Sequence, residues 1–236
     1  MISSIPKWIG DLFEGTLRPN VKIVETTYLS PQIKKIRFKG KVSKTTIPIG
    51  YANVIRVSET EFRNYTIAHH DKENGLLDIV FHIHGNGVGS QYIDGLTTND
   101  ELYISPPRGK KMYDPNVKKQ IIFGDETSLG FAISMLPNLK DNRHQYHFYF
   151  ELDEENYNVT QLLGLKQCTV FPKSNSLRNL DWINDSPIFD AIGWHDANFI
   201  LTGNVSSIQS FRKLLKEKKT GKILAQGYWL QGKKGL

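Results

Sequence analysis

Near residue 117 the spacing of apolar residues changes, and a chain with such a break must be built in two differently organised parts. Upstream, short runs rich in β-branched and aromatic residues lie at 21–28, 33–39, 51–58, 62–69, 76–84 and 101–105. Turn signals separate them, among them Pro19-Asn20, Ser30-Pro31, Asn74-Gly75 and Pro106-Pro107. Many short strands at this spacing predict an antiparallel six-stranded β barrel over residues 18–112. The clearest hairpin joins 65–70 to 76–84 across 71–75. Downstream, strands at 120–124, 146–151, 167–171, 198–203 and 222 to about 228 alternate with helical runs. Alternation of that kind requires crossovers, hence an α/β domain with a parallel sheet over 117–236.

Three helices are expected in this second half. The run 128–136 should stop before Pro137, and Tyr157 to Leu163 reads as a short helix. The run 207–218 places Ile208, Phe211, Leu214 and Leu215 on one face, with Ser206 or Ser207 as its cap. The proline- and lysine-bearing stretch 106–115 is the natural boundary, and a separate amphipathic helix is expected near 6–14, within residues 1–17.

Composition matters mainly for what it removes. The 236 residues include a single cysteine, Cys168, so no intramolecular disulfide can form. In its strand-like run that thiol reads as a small buried hydrophobe. Without a cysteine cluster there is no zinc or iron–sulfur framework, and redox chemistry would need a bound organic cofactor. His82 and His84 sit two apart on one strand with no third ligand nearby, so no metal site is expected. The net charge of +6 favours anionic partners. Its lysines are spread without a recognition-helix pattern, which argues against nucleic acid; a solvated basic surface is the plain alternative. No run approaches the ~20 apolar residues of a membrane span, so no membrane insertion is expected. The N-terminal run carries Lys7 and Asp11 and lacks a signal-peptide core, which predicts a cytoplasmic protein.

Four segments carry residues suited to ligand chemistry. In Arg63-Asn64-Tyr65-Thr66, strand alternation puts Arg63 and Tyr65 on one face and Thr66 on the other. A guanidinium to grip phosphate, a phenol to pack on a flat ring and a hydroxyl for a ring nitrogen would hold a flavin. An edge strand with an exposed arginine and a half-buried tyrosine fits the same letters. In His84-Gly85-Asn86-Gly87-Val88-Gly89-Ser90, glycines would let backbone N–H groups approach an anion, and Ser90 would cap the following helix. A glycine-rich turn is the alternative. Ser105-Pro106-Pro107-Arg108-Gly109-Lys110 is either a stiff turn or a means of setting Arg108 beside a phosphate. Gly124-Asp125-Glu126-Thr127 ends the first parallel strand, where α/β ligands bind, and Thr127 would cap the next helix. A self-contained helix start with acids matched to the dipole is equally consistent. Trp229 would stack on a flat ligand or sit in a core.

Taken in order, Arg-x-Tyr-Thr, His-Gly-x-Gly-x-x-Ser, Pro-Arg-Gly, Gly-Asp-Glu-Thr and the closing Gly227-Tyr228-Trp229 resemble the siderophore-interacting proteins, within the ferredoxin-reductase-like superfamily. The resemblance runs from about Val21 to Gly232. It implies a flavin-binding barrel followed by a nucleotide-binding domain. It implies that Arg63 contacts the FAD pyrophosphate, that Tyr65 and Thr66 lie beside the isoalloxazine, and that His84, Gly85, Gly87 and Ser90 line the ribityl–pyrophosphate portion. Arg108 joins these, and Gly124, Asp125, Glu126 and Thr127, with Thr202 and Gly203, line the nicotinamide side. The implied activity is reduction of a ferric siderophore, with electrons from NAD(P)H or a reduced ferredoxin passing through FAD to Fe(III). No side chain is assigned as a catalytic acid or base, because the cofactor carries the chemistry. A ferredoxin-reductase-like flavin oxidoreductase with another acceptor, or a flavin- or siderophore-binding module without turnover, stand as alternatives.

Overall fold

The computed structural model describes residues 18–40, 47–173, 196–217 and 221–233. The helix expected near 6–14 and the end of the 207–218 run lie outside them. The chain forms two compact units, the first ending at Lys111 and the second beginning at Met112.

The first unit is antiparallel throughout. Its strands are β1 (Val21–Ser30), β2 (Ile33–Gly40), β3 (Tyr51–Arg56), β4 (Phe62–Asp71), β5 (Leu76–His82), β6 (Glu101–Leu102) and β7 (Arg108–Gly109), with helix α1 (Val88–Gly95) before β6. They form one seven-stranded sheet in the order β6-β1-β2-β5-β4-β3-β7. The seventh strand was expected as a turn. After Pro106-Pro107 the chain stays extended, and Arg108 and Gly109 pair with Ala52 and Tyr51. Residues 101–109 fasten the two margins of the sheet together: Leu102 pairs with Val21 of β1, and Ile104 bridges to Ile55 of β3. That detour ends β6 at Leu102, short of the expected 101–105. Asn20 clamps the crossing, donating to the Ile104 carbonyl at 2.8 Å and accepting from its N–H at 2.9 Å. The enclosed core holds Ile23, Ile36, Phe38, Ile55, Leu77, Ile79 and Phe81, all essentially inaccessible. Burying each such side chain is worth roughly 1.5–3 kcal/mol. The expected β4–β5 hairpin is present, with Asp71 opposite Leu76.

The second unit is a parallel five-stranded sheet in the order β10-β9-β8-β11-β12. Its elements are β8 (Lys119–Asp125), a 3₁₀ turn (Glu126–Ser128), α2 (Leu129–Asp141), β9 (Gln145–Leu152), a 3₁₀ turn (Glu154–Asn156), α3 (Val159–Leu162), β10 (Cys168–Pro172), β11 (Asn198–Asn204), α4 (Val205–Glu217) and β12 (Ile223–Trp229). Ile208, Phe211, Leu214 and Leu215 of α4 pack on Ile121, Phe123, Phe199 and Leu201, with Phe123 and Phe211 stacked at 5.1 Å. No helix among the described residues is long and apolar enough to cross a membrane.

Three local expectations need correction. Helix α2 does not stop before Pro137 but runs through it to Asp141. Met135 and Leu139, four apart and fully buried, hold both sides of the proline to the same core, and that packing outweighs one lost backbone bond. Helix α4 is capped by neither Ser206 nor Ser207. Asn204 accepts from both of their N–H groups, at 2.9 and 3.2 Å, and is the cap. The short helix expected at 157–163 is present but cut to the single turn of α3, Val159–Leu162, with a 3₁₀ turn at Glu154–Asn156 before it.

Candidate functional site

In the first unit, β4 pairs with β3 so that Arg63 lies opposite Ile55, and Tyr65 opposite Asn53. Directly paired residues of an antiparallel sheet share a face, and Ile55 and Asn53 are fully buried, so Arg63 and Tyr65 belong to the inner face. Thr66 belongs to the other. It is opposite Ala52, and Ala52 is also opposite Arg108, which places Thr66 and Arg108 in one cross-strand row. The candidate residues therefore fall on two faces of the sheet. Tyr65 presents its ring edge-on to Phe81 at 4.7 Å, and burial raises its hydroxyl pKa. Arg63 is held by Glu61 at 2.6 Å and by the Phe62 carbonyl at 2.9 Å.

The glycine-rich loop meets this strand through Gly89, in the first turn of α1. A Cβ there would lie 3.1 Å from Arg63 Cγ and 3.3 Å from the Tyr65 hydroxyl, so a side chain would lift the turn off both residues. At Gly85 and Gly87 the opposite holds: a Cβ would meet nothing within 4 Å, and residues 84–88 are exposed. Gly85 adopts φ +53°, a conformation glycine takes without strain. Ser90 does not cap α1, as had been expected. It sits inside the helix, where its hydroxyl accepts from the His84 N–H at 3.1 Å and donates to the His84 carbonyl at 3.0 Å, drawing the loop closed. The cap position is Gly87, which offers no side chain, so the first N–H groups of α1 have no side-chain cap.

In the second unit, parallel pairing brings the carboxyl ends of all five strands to one edge. Asp125, Glu151, Lys173, Asn204 and Trp229 stand there or one residue beyond. Asp125 is 2% exposed and is the centre of a knot. Its carboxylate accepts from the Thr127 N–H at 2.9 Å, the Thr127 hydroxyl, the Asn204 N–H at 2.8 Å and Trp229 Nε1 at 2.7 Å. Asp125, rather than Thr127, is the cap of this turn, with Ser128 returning a bond to the Asp125 N–H. Burial raises the Asp125 pKa against these donors.

Glu126 is equally buried. It accepts from the Asp153 N–H at 2.7 Å, Asn156 at 3.2 Å and Lys173 at 2.8 Å. Burial opposes the Lys173 charge, but Glu126, Asp125 and Asp153 together outweigh it and raise that pKa. The Lys173 ammonium also stands 5.6 Å above the Trp229 ring. Glu151, whose pKa burial also raises, accepts from Ser207 at 3.1 Å. Gly124 and Gly203 serve this packing: a Cβ would fall 2.3 Å from Ser128 Cβ and 2.6 Å from Asp125 Cγ respectively. Cys168 is half-buried, and burial pushes its thiol up to about 11, leaving it unreactive at neutral pH.

Residues 20–113 match the family described as oxidoreductase FAD-binding domain. Over nearly the whole chain the structure resembles a siderophore utilization protein from T. fusca, with a TM-score of 0.74 at 18% identity, covering 93% of this chain and 97% of that one. It also resembles ferredoxin-NADP+ reductase from Plasmodium falciparum, with a TM-score of 0.69 at 17% identity, covering 89% and 95%. The fold is ferredoxin-reductase-like. Among curated proteins, NADH-cytochrome b5 reductase 1 of Dictyostelium discoideum is 31% identical over 78 residues, 32% of this chain and 27% of that protein.

Within this ferredoxin-reductase-like fold, Arg63, Tyr65, Thr66, His84, Gly85, Gly87, Ser90 and Arg108 lie in the segment that matches the FAD-binding family. Gly124, Asp125 and Thr127 lie in the second unit. Sequence reasoning passed over Glu151 and Lys173. The available signal was position: each closes or follows a parallel strand, the edge where this class of sheet binds ligands.

Proposed function

We propose that this protein is an FAD-dependent ferric-siderophore reductase, which draws electrons from NAD(P)H or a reduced ferredoxin and delivers them to Fe(III) in a bound chelate. The observation that carries the flavin assignment is the seating of Gly89 on Arg63 and Tyr65, because it joins two phosphate-suited motifs in one place. The residues present fit the group: open space over Gly85 and Gly87, a helix start without a side-chain cap, and a guanidinium at the strand beneath. Arg63 would pair with the pyrophosphate, at the expense of its bond to Glu61. The N–H groups of 85–90 would receive the remaining phosphate oxygens, and Tyr65 would pack beside the ring system. Thr66 and Arg108, on the other face, would reach the polar edge and the outer phosphate side. Bound FAD would supply the link between two-electron donors and one-electron acceptors. Fe(III) is held far more tightly than Fe(II) by hard oxygen donors, so reduction releases the metal.

The siderophore assignment rests on the order of the five sequence motifs together with the full-length fold likeness. A second reading, an oxidoreductase with another acceptor, is favoured by one observation: the curated relatives matched over 78 and 105 residues are both NADH-cytochrome b5 reductases. The deciding experiment is anaerobic mixing of FAD-loaded protein with NADH, NADPH or reduced ferredoxin, followed by a ferric chelate. Flavin bleaching, then reoxidation with Fe(II) appearing in step, is the expected result. Reoxidation by a haem protein but not by ferric chelates would transfer support to the second reading.

A further inference from the structure

Lys34 interrupts the apolar pattern of its strand. In β2 it alternates onto the face of Ile36 and Phe38, both inaccessible, and is itself only 2% exposed. An ammonium taken out of water must find compensation, and this one finds three carbonyls. Nζ donates to Ile93 O at 3.1 Å, Asp94 O at 2.7 Å and Leu96 O at 2.7 Å, one acceptor for each N–H. Those carbonyls are the C-terminal end of α1 and its cap, where the dipole favours a cation; Ile93 O also accepts from the Leu96 N–H at 3.3 Å. Tyr28, the cross-strand partner of Lys34, adds its ring 5.1 Å from Nζ, and its hydroxyl bonds the Asp94 carboxylate.

The other end of the same helix is the glycine-rich loop. An eight-residue helix is about 12 Å long and stiff, so fixing its last turn fixes where its first turn points. The anchored cation at one end and an anion at the other would also act on one dipole in the same sense. We propose that Lys34 is a positioning residue for flavin binding: by locking the end of α1 it holds the 85–90 N–H groups in register with Arg63. This rests on the reading of that loop as the FAD phosphate cradle.

The test compares two flavins in the full chain. FAD carries the pyrophosphate and riboflavin has no phosphate, so only FAD uses the loop. Lys34→Met is expected to weaken FAD binding about tenfold or more while changing riboflavin binding less than about twofold. Equal losses for both flavins would mean general damage and would overturn the proposal, as would no loss for either. Should Lys34→Met not fold, Tyr28→Phe keeps the ammonium and frees Asp94. It is expected to cost FAD about two- to threefold and riboflavin nothing, and an unchanged FAD affinity would overturn the proposal. A wild-type chain that binds FAD no more tightly than riboflavin would overturn the cradle reading itself, and the role of Lys34 with it.

Discussion

Each unit contains a strand that runs through glycine into a helix, and the two junctions are finished in opposite ways. At 84–88 the backbone is left open: Gly85 and Gly87 face empty space, and no side chain caps the helix. At 124–128 everything is filled from within: Asp125 caps the turn, ties in Asn204 and Trp229, and leaves no room for a Cβ on Gly124 or Gly203. The first junction has unmet hydrogen-bonding capacity and suits an anionic ligand. The second is satisfied from within, its carboxylate spent on donors of the chain itself. Two glycine-bearing strand–helix turns can look alike as letters and differ entirely in what they leave exposed.

Substitutions should separate these roles, beginning with the knot. Gly203 has φ +102° and faces Asp125, so Gly203→Ala combines backbone strain with a clash. Asp125→Ala strands four donors, the Asn204 N–H buried and the other three part-buried. Each should cost about 3–5 kcal/mol of stability in chemical unfolding, with FAD affinity of the folded fraction changed less than about threefold. A stable Asp125→Ala that had lost FAD would reverse the contrast between the units.

Arg63→Ala comes next, with FAD weakened about 30- to 100-fold in a fluorescence titration. Its partly buried pair with Glu61 contributes about 1 kcal/mol, so the melting curve should move little. Undiminished FAD affinity would remove Arg63 from the site.

Gly87→Ala isolates the open junction. The added methyl meets nothing in the protein, so stability should stay within about 0.5 kcal/mol, while FAD binding should fall about tenfold because the methyl takes ligand space. Loss of stability without loss of affinity would mean the loop is packing, as at Gly124.

The smallest effect is a pH dependence. Burial raises the Glu151 pKa, so the folded chain keeps that proton to a higher pH than the unfolded chain does. Its contribution is fully present below the ordinary carboxylate pKa and is lost as pH rises through the folded value. Glu151→Gln should flatten that decline in urea unfolding as pH rises above the ordinary carboxylate range, and leave the variant slightly more stable once Glu151 would have ionised. An unchanged pH profile would show that Glu151 is not the group responsible.

Much of the architecture is written locally. Runs of β-branched and aromatic residues between turn signals mark β1 to β5, the 3.6-residue stripe marks α4, and the change of period near 117 falls within a few residues of the division at Lys111 and Met112, because these patterns depend only on near neighbours. The motifs of the first unit were legible too, since residue type and strand parity suffice to pair Arg63 with Tyr65. What only the tertiary structure decided are the partners far away in sequence. Asp125 meets the Asn204 N–H across 79 positions and Trp229 across 104, and Lys34 meets the end of α1 across about 60. Gly89 settles on Arg63 and Tyr65, and Pro137 is carried inside α2, for the same reason. A cap, a buried cation or a proline is judged by what surrounds it, and those surroundings exist only once distant segments have packed.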